Sequence, residues 1–105
     1  MRNFPKPIKR KLRELAEMAH EREMSANLDE LYGAFGEWKA GRIDCFNLNQ
    51  QIHTYHQKKA RQTWARYQGN DMEFIVILAV KAGVLQSDEI PENVAEAIDL
   101  DRRIQ

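Results

Sequence analysis

Phe74-Ile75-Val76-Ile77-Leu78-Ala79-Val80 is the stretch on which the fold turns. Four of its seven residues are β-branched, and an apolar run of this length suits a buried strand as well as a buried helix. A strand needs a partner, because its backbone N–H and C=O groups must all be paired. No other segment reads as one. The run is therefore assigned to a central buried helix, opened after the Gly69-Asn70-Asp71 turn and closed at Gly83, with Val84 making the apolar contact that accompanies such a cap. This makes the fold all-α.

Outward from that helix, the rest of the chain repeats at helical spacing. Pro7 suits a first helical turn, and Ile8, Leu12, Leu15, Ala16 and Ala19 form an apolar stripe, which predicts a helix over about 7–24. A second stripe, Leu28, Leu31, Tyr32, Phe35 and Trp38, falls nearly opposite the first at ~100° per residue. That conflict predicts a break at Ser25–Asn27, with Asn27 capping a second helix, Glu30 completing a capping box and Gly41 ending it. Gly33 and Gly36 within it cost ~1 kcal/mol each relative to alanine, which predicts a close helix crossing. Asp44 caps a third helix. Its apolar half holds Leu48, Ile52, Tyr55, His56, Thr63 and Tyr67, and its polar half holds Gln50, Gln57, Lys58, Arg61 and Gln62. A last helix begins at Pro91, with Val94, Ala97 and Ile98 inward and Arg102 and Arg103 at its carboxyl end. The expectation is a compact bundle of about five helices in one domain over 1–105, with residues 1–6 a flexible basic arm.

Composition bounds the function classes. With 105 residues, 43% hydrophobic and 30% charged, the chain is in the globular range and suits a single core. Its one cysteine, Cys45, excludes an intramolecular disulfide and fits a reducing, cytoplasmic location. The basic amino terminus is followed by no apolar segment of the signal-peptide kind, and the longest apolar run falls far short of the ~20 residues of a membrane span.

The 16 basic and 16 acidic residues cancel in number but not in position. Residues 1–13 carry six positive charges and no negative one. Cys45–Gln68 carries Lys58, Lys59, Arg61 and Arg66 with no acid, while acids gather over 88–101. Such segregation points to an anionic partner. The first reading is a non-enzymatic interaction protein whose basic third helix and amino-terminal arm meet an acidic protein or a second copy of the chain. The alternative is nucleic acid followed by Lys9, Arg10, Arg13, Lys58, Arg61 and Arg66. Most aromatics lie on apolar stripes and read as core, whereas Trp64, at the edge of its stripe beside Arg61, reads as an exposed interface anchor.

Chemistry is less well furnished. His53 and His56, spaced i, i+3, can share a metal ion, and Glu17-x-x-His20 has the carboxylate-to-histidine spacing of helical-bundle metal sites. The full di-metal pattern needs two such segments and only one is present, so no cofactor is assigned, and a metal-dependent function with ligands at His53 and His56 stands as a third reading. His56 falls inside the apolar half of its helix and reads as a core histidine. Cys45 lies about two turns from His53, ~12 Å along a helix, too far for a thiol–imidazole pair. No catalytic residues are assigned. The run Trp38-x-x-Gly41-x-Ile43, continued by Ile52-His53-x-x-His56 and Ala60-Arg61, resembles segments of short uncharacterised bacterial proteins. That resemblance implies a bacterial, cytosolic origin and a helical fold, and it transfers no functional residues.

Overall fold

The computed structural model describes residues 3–105, and Met1 and Arg2 of the expected arm lie outside the described residues. All regular structure among the described residues is helical. The helices are α1 (Lys6–Lys39), α2 (Cys45–Thr54), a π-helical segment (Tyr55–Ala60), α3 (Arg61–Arg66), α4 (Met72–Lys81), a 3₁₀ turn (Ser87–Glu89), α5 (Glu92–Ala97) and α6 (Leu100–Arg103). The apolar run at 74–80 is helix α4, as its missing strand partner requires.

The chain divides into two compact units, residues 1–21 with 67–105, and residues 22–66. In the first, Ile8, Leu12, Leu15, Ala16 and Ala19 of α1 meet Ile75, Val76, Ile77 and Ala79 of α4. Leu85, Ile90, Val94, Ile98 and Leu100 complete that core, and Phe4 and Val84 pack against it. Local signals set the element ends. Asp71 Oδ1 accepts the Phe74 N–H at 3.1 Å, Gly83 takes φ 79°, and the Val84 N–H reaches back to the Ala79 carbonyl at 2.9 Å. The last predicted helix is interrupted at Asp99, which adopts a left-handed φ of 54° and separates α5 from α6. Glu73 is buried and accepts a hydrogen bond from Arg103 Nη1. Arg102 instead pairs with Asp99 at 3.1 Å.

The second unit is a helical hairpin. The carboxyl half of α1 ends at Gly41, φ 78°, with the Arg42 N–H bonded to the Glu37 carbonyl at 2.9 Å. Asp44 then caps α2 by accepting the Asn47 N–H at 2.8 Å.

Three expectations for this region fail, each for an identifiable reason. The helix does not break at 25–27. The stripe from Leu28 to Trp38 that motivated the break is not the face through which α1 packs here, so no conflict exists. Asn27, inside the helix, caps nothing and donates from Nδ2 to Thr63 Oγ1 at 2.9 Å. Gly33 and Gly36 mark no close crossing, since a Cβ at either would meet nothing within 4 Å.

Candidate interaction face of the helical hairpin

The hairpin is held by a short polar ladder. Glu23 accepts from Arg66, Asn27 donates to Thr63, and Glu30 pairs with Lys59. The steps 23, 27, 30 on α1 answer 66, 63, 59 on the returning helix, so the two run antiparallel with one rung per turn. Arg66 places Nε and Nη2 at 3.3 and 3.1 Å from Glu23 Oε2. The π segment makes this register fit. In an unbroken α-helix Thr63 lies ~80° round from Tyr55, and the wider i→i+5 winding takes back an offset of that order.

Little apolar surface is buried with the ladder. Ala34, Leu48 and Thr63 are the residues of this unit that are fully buried. An open hollow of about 360 Å³ lies between the helices, lined among others by Asn27, Leu31, Gln51, Tyr55 and Lys59. The large apolar side chains that the sequence pattern assigns to the core are instead exposed: Leu28, Tyr32, Phe35 and Trp38 on α1, and Ile52 on the returning helix, where Trp64, expected at the surface, is exposed as well. Tyr32 is 80% exposed and Trp64 60%. The physical reason is that each helix here has one neighbour, which covers one flank of a broad apolar sector and leaves the other open.

Helical phase places these residues on one side. Seen from the amino end of α1, residues advance clockwise by ~100° each. Trp38, Met24, Phe35 and Leu28 fall ~50–130° clockwise of the Glu23–Asn27–Glu30–Ala34 line, and Tyr32 stands at the margin of that side, ~170° round. The returning helix, seen from the same end, advances anticlockwise, and Trp64 follows Thr63 by ~100°. Clockwise on one helix and anticlockwise on its antiparallel neighbour open to the same side. There, His56, Ala60, Arg61, Trp64 and Ala65 line an open hollow of about 510 Å³. The other side of the hairpin presents the exposed Arg22, Asp29, Gly33 and Gln62. One face is thus apolar and the other polar. Phe46, 81% exposed, belongs to neither the ladder nor this face.

The predicted site residues distribute as follows. Trp64 is exposed on the apolar face, as an anchor must be. Arg66 is tied to Glu23, and Lys59 to Glu30, so two of the four positive charges of the basic helix are answered within the hairpin. Lys58 and Arg61 are exposed and form no ion pair among the described residues, Arg61 touching Gln57 at 3.4 Å. Arg10 and Arg13 are likewise exposed, and Lys9 donates to Asn3 Oδ1 at 3.0 Å. His56 is not a core histidine: it stands one residue beyond Tyr55, on the uncovered flank, and is exposed, as is His53. His20 stacks on Tyr67 with centroids 4.8 Å apart and planes 9° apart, and Glu17 is exposed. Among the described residues no group of three or more histidine, cysteine, aspartate or glutamate side chains is placed to hold a metal ion. Cys45 is an exposed free thiol. No helix among the described residues is long and apolar enough to cross a membrane.

No family model, curated protein or solved structure shows a match to this chain. The resemblance carried by the Trp38–Arg61 run therefore adds no assignment, and function is argued from the face itself.

Proposed function

We propose that the protein is a non-enzymatic interaction module that docks a protein partner on the apolar face of its hairpin. The observation that carries this reading is the exposure of Leu28, Phe35, Trp38 and Trp64 on one side of a unit whose opposite side is polar. Contiguous apolar patches of this size mark association sites, and tryptophan and tyrosine are the side chains most often found as anchors in such patches. Arg61, exposed and lining the hollow beside Trp64, adds a positive charge on this face that steers an acidic partner toward it. The test places a photo-crosslinking residue at position 32 or 64, and, as control, at 29 or 62 on the polar side, in cells that make the protein. A discrete protein adduct from 32 and 64 and none from 29 and 62 supports the reading. Equal labelling from both sides contradicts it.

A second reading follows from Arg10, Arg13, Lys58 and Arg61, which are exposed, form no ion pair among the described residues and leave positive charge available to a nucleic-acid backbone. Its signature is salt dependence, because each neutralised phosphate releases counterion. If it holds, DNA or RNA binding seen at low salt falls steeply as salt rises, and Lys58→Glu with Arg61→Glu weakens it. No binding at low salt removes this reading.

A further inference from the structure

We infer that the partner on the apolar face is a second copy of the same chain, two hairpins closing face to face into a four-helix bundle; this rests on the docking reading above. Three observations converge on that occupant. The first is area. Tyr32, Phe35, Trp38 and Trp64, with Met24, Leu28 and Ile52, expose on the order of 600 Å² of apolar side chain between them. A standard interface takes about 800 Å² from each partner, of which about 500 Å² is apolar in homodimers. The face meets that requirement without any other part of the molecule.

The second is core deficit. A pair of antiparallel helices that fully buries only Ala34, Leu48 and Thr63, around an open hollow, has too little apolar burial to offset the entropy of ordering it. Whatever covers the face completes the core of this unit, and another copy is present wherever the chain is made. The third is symmetry. An isologous two-fold contact requires one self-complementary patch, and the hairpin offers a ridge of large side chains on α1 beside the open hollow that His56, Ala60, Arg61, Trp64 and Ala65 line on the returning helix. A two-fold axis parallel to the helices sets α1 of one copy over the returning helix of the other. Every neighbour in the resulting bundle is then antiparallel, as in up-and-down four-helix bundles. A perpendicular axis places α1 on α1, ridge against ridge.

Trp38 and Trp64 are the chain's two tryptophans and both lie on this face, so their emission reports the contact directly. Sedimentation equilibrium on the full chain gives a dimer, and on dilution the tryptophan emission moves to the red with the same midpoint as dissociation. Phe35→Lys and Leu28→Lys keep both tryptophans and raise the dissociation constant at least tenfold, about 1.4 kcal/mol. Tyr32→Lys, at a side chain too exposed to support the single hairpin, does the same. Gln62→Lys, on the polar side, leaves it unchanged. A monomer with red-shifted, quencher-accessible tryptophans overturns the second-copy assignment while the docking reading stands. A monomer with protected tryptophans overturns both, since the face is then covered by its own chain. A dimer whose midpoint ignores positions 28, 32 and 35 associates elsewhere and also overturns the inference.

Discussion

The two units treat their apolar residues in opposite ways. In the first, fourteen apolar residues drawn from α1, α4, α5, α6 and the segment between α4 and α5 close into one buried cluster, and Phe74 and Leu78 are the large apolar side chains left out. In the second, aromatic and aliphatic residues of equal size stand outside, while Glu23, Asn27 and Glu30 face the neighbouring helix. The difference is one of neighbours. A helix surrounded on several sides can bury a wide apolar stripe, whereas a helix with one neighbour buries a strip, and a ladder of polar rungs can occupy that strip. Composition does not separate the two cases, since both units are rich in apolar residues. What separates them is that the first unit encloses its apolar residues and the second leaves them exposed.

The largest effects should fall in the closed unit. Leu15→Ala removes a fully buried side chain from the centre of the cluster and costs about 2–5 kcal/mol, read as a lower denaturation midpoint by circular dichroism at unchanged slope. Leu48→Ala in the hairpin belongs at the bottom of that range, ~2 kcal/mol, because the hollow beside the returning helix lets the site relax. If the hairpin substitution proves the more damaging, the contrast between a closed and an open unit is wrong. Amide hydrogen exchange draws the same contrast without mutation. Amides of α2 and α3 should exchange faster than those of α4, and their protection should grow with protein concentration if a second copy covers the face.

Polar contacts come next in size. Arg103→Met leaves the buried Glu73 without its guanidinium partner and costs about 1–3 kcal/mol. Thr63→Val removes the hydroxyl that accepts from Asn27 and costs about 1 kcal/mol. Arg66→Ala breaks a pair whose guanidinium is more than half exposed, and its effect is about 0.2–1 kcal/mol, reduced further by salt. A Thr63→Val loss well above that of Arg103→Met would mean that the ladder, and not apolar burial, is what holds the chain together.

Most of the closed unit was legible in the sequence. The Ile8–Ala19 stripe, the helical assignment of 74–80 and the glycine stop at Gly83 stand, as do the Gly41 stop and the Asp44 cap within the hairpin, because each depends on residues near in sequence. The hairpin was misread for the converse reason. Periodicity shows that Leu28, Tyr32, Phe35 and Trp38 share a side of a helix, but only the arrangement of neighbours decides whether that side is inward. The π segment is equally hidden, since nothing in Tyr55-His56-Gln57-Lys58-Lys59-Ala60 marks it, and it carries Lys59 and Thr63 back to α1. One signal was available. Glu23, Asn27, Glu30 and Arg66, Thr63, Lys59 form complementary series at matching steps, acid facing base with a neutral pair between, and polar residues so matched can be an inner face.

The smallest expected effect is a gain. Gly33 lies on the polar side of α1, exposed, with nothing within 4 Å of where a Cβ would stand. Its φ is not among the positive ones, so alanine fits the helical backbone without strain. Gly33→Ala should therefore stabilise the chain by about 0.5–1 kcal/mol through helix propensity alone, raising the denaturation midpoint. The same substitution should leave the tryptophan emission and the dimer dissociation constant where they were, because position 33 faces away from Leu28 and Phe35. The two readings are independent, and that independence sharpens the comparison between the units. A loss of stability would mean that a chain packs closely against this side of the helix. A gain in stability accompanied by weaker association would place the contact between copies on the polar side and leave the apolar face to another protein.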